Sequence, residues 1–390
     1  MKIVIAPDAF KESLTAMEVA DAIQRGFARI FPEAEFELIP MADGGEGTVQ
    51  SLIDATGGNL QKTSVISPLA LPTEAIWGLS GDRKLAIIEM SAASGLHLVP
   101  ADRRNPLYTT SFGTGELIKA ALNAGVEKIL LGIGGSATND AGVGMLQALG
   151  AKFINKSGIE IGFGGFELRN IAHIDLSQLD PRLQHVQIEV ACDVTNPLCG
   201  KNGASAVFAP QKGATPSMVE QLDQALSHFA DVVQRQYNRN IADRSGSGAA
   251  GGMGAGLQLL PNVQLKSGVE IVMGATQLAK KIQTADLVIT GEGRMDAQSV
   301  AGKTPIGVAK VAKQFGKPVI AIVGGLSDDY ALVYQYGIDA VFPIIRQVGS
   351  LEQTLSKGQE NLVSSAENIA RLWKICHQFP QQMDKNATIL

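Results

Sequence analysis

At 390 residues the chain exceeds what one hydrophobic core usually organises, which predicts two domains. Its 33 Lys plus Arg against 38 Asp plus Glu leave a net charge of −5 without basic runs, which excludes gripping nucleic acid or an anionic membrane through bulk charge. A hydrophobic content of 45% excludes intrinsic disorder, 5% aromatics argues against stacking platforms for single strands, and glycine alone is out of line, 43 residues or about 11% against a typical value of about 7%.

The opening MKIVIAPDAFKES has an apolar run too short for a secretory leader, and no stretch reaches the roughly 18 apolar residues of a membrane span, so a cytoplasmic protein is expected. Residues 2–6 (KIVIA) read as a buried strand. A helix follows: Thr15 and Glu18 form a Thr-x-x-Glu capping box, and Ala20, Ile23, Phe27 and Ile30 share one face. Residues 36–39 (FELI) are the next strand, then a glycine loop and a short helix through Val49, Leu52 and Ile53. This βαβα opening predicts a parallel sheet. Residues 63–79 and 85–90 read as extended pieces separated by prolines, better suited to antiparallel or mixed pairing. A helix is expected over 114–122, strands over 128–133 (KILLGI), 188–192 (IEVAC) and 205–208 (SAVF), a helix near 216–236, and a Gly/Ala/Ser loop at 245–256. The glycines at 251–256 suit a hinge or a helix-packing strip as well as a phosphate nest. The last third regains the alternating rhythm: strand 286–290 (DLVIT), helix 304–315, strand 319–323 (VIAIV), a second helix, and strand 340–344. The expected fold is α/β: a doubly wound, flavodoxin/Rossmann-like parallel-sheet lobe from residues 1–60 and 270–390, with a second α/β lobe inserted at 61–269 and the active site in the cleft between them.

Five of these strands end in a carboxylate with glycine or a small polar residue beside it. KIVIA leads to Asp8, FELI to Asp43-Gly44-Gly45-Glu46, KILLGI to Ser136 and Asn139-Asp140, IEVAC to Asp193 and Asn196, and DLVIT to Glu292, Arg294 and Asp296. In open α/β sheets ligands bind outside the carboxyl ends of strands. Turn and cap chemistry explains any one of these loops equally well, but does not demand a carboxylate on all five. Clustered carboxylates call for a cation. Lys11, Arg294 and Lys303 lie near them in sequence, and Mg²⁺ favours one or two carboxylates plus phosphate oxygens. With glycine-rich backbone to cradle anions, the pattern suits phosphoryl transfer.

Other chemistries find less support. Ala301-Gly302-Lys303-Thr304 fails as a Walker loop because position 297 is alanine and no strand precedes it. Gly132-x-Gly134-x-x-Ala137 matches the looser dinucleotide fingerprint but runs into a long loop where a helix should begin, and the second match at 246–251 follows no strand. No His partners a Ser or Cys for acyl transfer. The five histidines are scattered, which leaves no transition-metal site, and Cys192, Cys199 and Cys376 read as buried free thiols of a reducing compartment.

The segments APDAFKESLTA (6–16), PMADGGEGTV (40–49), GTGELI (113–118), GIGGSATNDAGVGML (132–146), CDVTNPLCG with GASAVFAPQKGA (192–214), GSGAAGGMGAGL (246–257) and DLVITGEGRMDAQSVAGKTPIGVA (286–309) stand in the order seen in bacterial glycerate kinases of the first type, which the chain resembles over nearly its whole length. One departure is Glu12-Ser13, where Lys-Gly-Ser is the commoner form. The resemblance implies ATP-dependent phosphorylation of D-glycerate by a two-domain α/β protein without a Walker loop. On that basis Asp43, Asp193, Asp296 and Lys11 are the expected catalytic residues, with Asp193 and Asp296 as Mg²⁺ ligands. Asp8, Ser13, Gly44, Gly45, Glu46, Ser136, Asn139, Asp140, Asn196, Glu292 and Arg294 are expected to bind substrate or phosphate, Arg294 as a planar clamp. Asp54, Glu127 and Asp223 are read as surface charges. An NAD(P)-dependent dehydrogenase of a small hydroxy acid, built on the 132–137 fingerprint, and a non-catalytic two-lobed anion-binding protein are the alternatives. The sequence leaves 2- and 3-phosphoglycerate open as products, and the oligomeric state with them.

Overall fold

The computed structural model describes residues 1–42 and 47–378. Its chain divides into two compact units: Met1–Ala55 together with Val272–Leu390 (unit 1), and Thr56–Ile271 (unit 2).

Unit 1 is built on five parallel strands in the order Ala340–Pro343, Val319–Val323, Leu287–Gly291, Lys2–Pro7, Glu35–Leu38. Counted along the chain from the opposite edge this is 2-1-3-4-5, the flavodoxin-like order of a doubly wound sheet. Buried β-branched runs dictate the central strands: Ile3, Val4, Ile5, Leu287, Val288 and Ile289 have no exposure, as expected for strands covered on both faces. Ile3, Ile5, Ile289 and Ile322 form one core with Val19, Ile23 and Phe27 of helix Ala16–Ala28 and with Leu362, Ala366 and Ala370 of helix Gly358–Gln378. The first of these helices starts at the expected capping box: the Glu18 N–H donates to Thr15 Oγ1 at 3.3 Å and the Thr15 N–H to Glu18 Oε2 at 2.8 Å. Helix Thr304–Gln314 packs on the same sheet.

Unit 2 carries a six-stranded mixed sheet. Val263–Lys266, Gln187–Ala191, Lys128–Gly132 and Leu85–Glu89 run parallel, and Pro72–Leu79 and Asn59–Ile66 complete it antiparallel. Residues 205–208, expected as a strand, instead lie in helix Ala204–Phe208, where the Val207 N–H reaches the Gly203 carbonyl. Burial explains the difference: Ala204 and Ser205 are adjacent and buried while Val207 is exposed, which breaks the alternation a strand needs. The expected 245–256 loop contains helix Ala249–Leu257, interrupted by left-handed conformations at Ala250, Gly251 and Gly252. After Val319–Val323 the expected second helix is a 3₁₀ helix, Tyr330–Tyr336. The thiols are unpaired, with Cys192 and Cys199 half-buried and Cys376 exposed, and burial pushes Cys199 up to about 12. Among the described residues no helix is long and apolar enough to cross a membrane.

Gly26 lets the two outer helices of unit 1 touch. A Cβ there would stand 2.5 Å from the Val363 carbonyl oxygen and 2.6 Å from Ala366 Cβ. Gly26→Ala should destabilise the protein by about 1–3 kcal/mol through overpacking, despite alanine's better helix propensity. Denaturant unfolding is the check, and an unchanged or raised midpoint would contradict the packing described.

Candidate functional site

In unit 1 the switch point of the sheet falls between strands Lys2–Pro7 and Leu287–Gly291, the position where doubly wound folds bind ligands. Pairing continues one residue past the first strand, since the Asp8 N–H donates to the Gly291 carbonyl at 2.8 Å. Asp8 is fixed by Thr304 Oγ1, which donates to Oδ2 at 2.7 Å, and by the Ala9 N–H on Oδ1. Gly291 is required here because a Cβ would overlap the Ile322 carbonyl oxygen of the neighbouring strand.

Glu292 follows directly and is only 7% exposed. Its Oε1 accepts from Ser299 Oγ at 2.6 Å, and that same Oγ accepts from the Asp296 N–H at 3.1 Å. Asp296 caps the 3₁₀ helix Ala297–Ala301 by accepting from the Gln298 N–H at 2.9 Å. The Lys303 ammonium stands 3.6 Å from Glu292 and 3.7 Å from Asp296, an electrostatic clamp on two carboxylates. Burial pushes Glu292 up to about 7; Ser299 and Lys303 pull against that shift, and the Asp8 and Asp296 charges add to it. A carboxyl group poised to gain or lose a proton near neutrality at a strand end is the electrostatic mark of a functional site. Lys303 also occupies the N-cap position of helix Thr304–Gln314, whose positive end adds to the local potential.

The other expected residues of unit 1 divide. Lys11 is exposed beside Glu12, which adopts a left-handed φ of 64°. Ser13 is tied into the fold, its Oγ donating to the Leu355 carbonyl at 3.0 Å. Arg294 is exposed in a two-residue strand, Arg294–Met295, paired with Gly325–Leu326, and its charge helps hold Asp329 below the usual carboxylate range after the dominant hydrogen bond from Ser327. Asp43, Gly44, Gly45 and Glu46 lie outside the described residues.

In unit 2 the loop after strand Lys128–Gly132 is held by buried groups. Asp140, 1% exposed, receives the Ser111 N–H and hydroxyl at 2.8 Å on Oδ2 and the Gly142 N–H at 3.1 Å on Oδ1, while burial raises its pKa. It therefore anchors the loop from within. Asn139 is also buried and donates to Ser205 Oγ at 3.0 Å. Lys212, from the 3₁₀ turn Pro210–Lys212, reaches in from below to donate to Ser136 Oγ and to the Thr138 carbonyl, both at 2.6 Å. Asp193 accepts from the Gly268 N–H at 3.1 Å, and Asn196 donates to the Asn202 carbonyl at 2.9 Å. The glycines of helix Ala249–Leu257 serve as a packing strip, because a Cβ at Gly251 would overlap the Thr138 carbonyl and one at Gly256 the Ala141 carbonyl. The 132–137 fingerprint does not lead into a helix until Val143–Ala148.

Asp8, Glu292 and Asp296 are thus brought together with Lys303, Ser299 and Thr304; Ser136, Asn139 and Asp140 share one loop with Lys212. Ser299, Thr304, Ser111 and Lys212 are absent from the sequence-based set, and Lys303 was noted only for its nearness in sequence. The one signal for Lys212 was a lysine inside the APQKGA motif. Glu292→Gln tests the electrostatics. Glu292 holds its proton more tightly in the folded chain, at about 7 against 4.5, so its contribution to stability is complete below 4.5 and is lost as pH rises through 7. The variant should gain on the wild type over that window, by at most about 3 kcal/mol. Urea titrations across the range would show it; a pH-independent difference would contradict the described environment.

Comparison with known proteins agrees across the chain. Residues 3–374 match the Glycerate kinase family. The chain is 64% identical over 372 residues to a glycerate kinase of Haemophilus influenzae, covering 95% of this chain and 98% of that protein. It is 55% identical over 370 residues to glycerate 2-kinase of Escherichia coli K12, covering 95% and 97%. A crystal structure assigned as glycerate kinase 2 from Salmonella typhimurium LT2 superposes with a TM-score of 0.90 at 53% identity, covering 97% of this chain and 99% of that one. With a family match over nearly its full length and relatives this similar, the chain belongs to the glycerate kinase family and is a kinase.

Proposed function

We propose that this kinase transfers the γ-phosphoryl group of ATP to a hydroxyl of D-glycerate in a Mg²⁺-assisted reaction in the cytoplasm. The observation that carries the reading is the group at the switch point of unit 1: Glu292 and Asp296 beside the Lys303 ammonium at the start of a helix, and Asp8 held by Thr304 of the same helix. Phosphoryl transfer asks chiefly for positioning and charge neutralisation, which such a group supplies. The donor chemistry suits Mg²⁺ accompanying a nucleotide. Carboxylate oxygens are at hand, yet no cluster of three or more His, Cys, Asp or Glu residues fit to hold an ion is found among the described residues. An ion sharing one or two carboxylates with phosphate oxygens and water fits that supply better than a resident metal. Once bound, Mg²⁺ would neutralise charge on the transferring phosphate.

Within this scheme Asp43, Asp193 and Asp296 are the candidates for base and metal ligand. Lys303 is the cation beside Glu292 and Asp296, and Lys11 and Arg294 are exposed cations able to meet anionic groups of the substrates. The name of the E. coli relative favours the 2-hydroxyl as acceptor. Unpaired thiols suit a reducing compartment.

A coupled ADP-release assay with D-glycerate, ATP and Mg²⁺ should show turnover, and phosphorus NMR of the product should show 2-phosphoglycerate. Asp43→Asn, Asp193→Asn and Asp296→Asn should each lower kcat about 10²-fold or more while the proteins remain folded. Absence of turnover across metals and pH would overturn the function; wild-type rates in all three variants would overturn the site.

A further inference from the structure

A buried lysine normally has a carboxylate against it, because the lost hydration of its charge costs several kcal/mol. Lys212 is 2% exposed, and its only hydrogen bonds among the described residues go to the Ser136 hydroxyl and the Thr138 carbonyl, leaving one of its three N–H donors unused. Asp140 is the charge that faces it, but its oxygens are taken by Ser111, Gly142 and Gly144. Desolvation accordingly pulls Lys212 down to about 7, against the pull of Asp140.

The loop above this ammonium has unused donors of its own. Ser136 Oγ accepts from Lys212, so its hydroxyl proton points away from the ammonium, and no acceptor receives it among the described residues. The loop is held through the Gly135 carbonyl, which accepts the Leu96 N–H, and through the Ala137 N–H, which reaches the Ser94 carbonyl, both at 2.9 Å. The N–H groups of Gly134, Gly135 and Ser136 donate to no group among the described residues. Gly134 and Gly135 are exposed, and Gly135 takes a left-handed φ of 69°, the kind of backbone turn that gathers successive N–H groups into an anion-binding concavity. Thr138 Oγ1 and Asn139 Oδ1 in the same loop are buried without a hydrogen-bond partner among the described residues.

We propose that Lys212 is a positioning residue for an oxyanion held at the Gly134–Ser136 tip, where it aims the Ser136 hydroxyl proton outward and supplies the positive charge beneath it. The proposal rests on the phosphoryl transfer described above, in which both substrates carry such a group, a carboxylate on D-glycerate and phosphates on ATP.

Steady-state kinetics of Lys212→Met and Ser136→Ala separate the two sources. Each variant should raise one Michaelis constant by about tenfold or more: that of D-glycerate if the tip holds the carboxylate, that of ATP if it holds a phosphate. The other constant should stay within about twofold, and the double variant should be no worse than Lys212→Met alone, because both changes remove the same interaction. A folded Lys212→Met with both constants unchanged would overturn the proposal. So would a rise in both constants with a lowered melting temperature and effects that multiply in the double variant, the pattern of a purely structural lysine. Where Lys212→Met does not fold, the wild-type Lys212 Nζ resonance, identified as the one that Ser136→Ala displaces, decides the matter. It shifts on saturation with one substrate if the ammonium senses the anion, and stays in place if it does not. Lack of wild-type turnover would count against the proposed function, whereas normal wild-type turnover with silent variants counts against Lys212 alone.

Discussion

The bond from the Asp8 N–H to the Gly291 carbonyl is the contact on which the arrangement of the candidate site in unit 1 depends. It carries strand pairing one residue beyond Pro7 and sets Asp8 beside the position from which Glu292 leaves the neighbouring strand. Parallel strands put their carboxyl ends on one side, and the reversal of strand order leaves the gap in which a ligand can lie. Two negative groups at such a gap repel each other. Ser299, Thr304 and Lys303 come from the segment immediately downstream of Glu292, so the short stretch after one strand supplies Glu292 and the groups that hold both it and Asp8.

The two units treat buried charge in opposite ways. Unit 1 hides a carboxyl group, Glu292, which meets the cost of burial by moving its titration toward neutrality while Lys303 stays just beyond hydrogen-bond distance. Unit 2 hides an ammonium, Lys212, with a carboxylate in view whose oxygens are already engaged. A direct Lys212–Asp140 ion pair would be the cheaper arrangement. Ser111 and the Gly142 and Gly144 N–H groups occupy Asp140 instead, so the ammonium is met by the Ser136 hydroxyl and the Thr138 carbonyl.

The sequence made some of this legible and concealed the rest for identifiable reasons. The runs KIVIA, DLVIT and VIAIV mark central parallel strands because burial on both faces demands uninterrupted β-branched residues, and Thr15 with Glu18 marks a helix start because both partners lie within four positions. Glu292 and Asp296 were visible as strand-end carboxylates. Ser299 and Thr304 were not, since nothing local distinguishes a hydroxyl that will meet a carboxylate from any other. Lys212 meets Ser136 across 76 positions and Asp140 meets Ser111 across 29, contacts that only the fold creates. The expected strand at 205–208 failed for the same cause: Val and Phe carry a β preference, but the surroundings bury Ala204 and Ser205 instead.

The glycine excess follows from what occupies these strand ends. The backbone of these strand ends and loops is packed closely by neighbouring main chain, which leaves no room for a side chain at the point of contact. At Gly291 the crowding atom is the Ile322 carbonyl of the adjacent strand; at Gly251 and Gly256 it is the carbonyls of Thr138 and Ala141 in the loop that carries Asn139 and Asp140. At Gly135 the need is different, for it lies at the exposed tip and its left-handed φ turns the backbone of the loop. Glycines that look alike in the sequence therefore divide into those that let main chain support main chain and those that turn an exposed loop. A side chain at the first kind would overlap main chain, whereas at Gly135 it would meet no backbone and would cost only the strain of its left-handed φ.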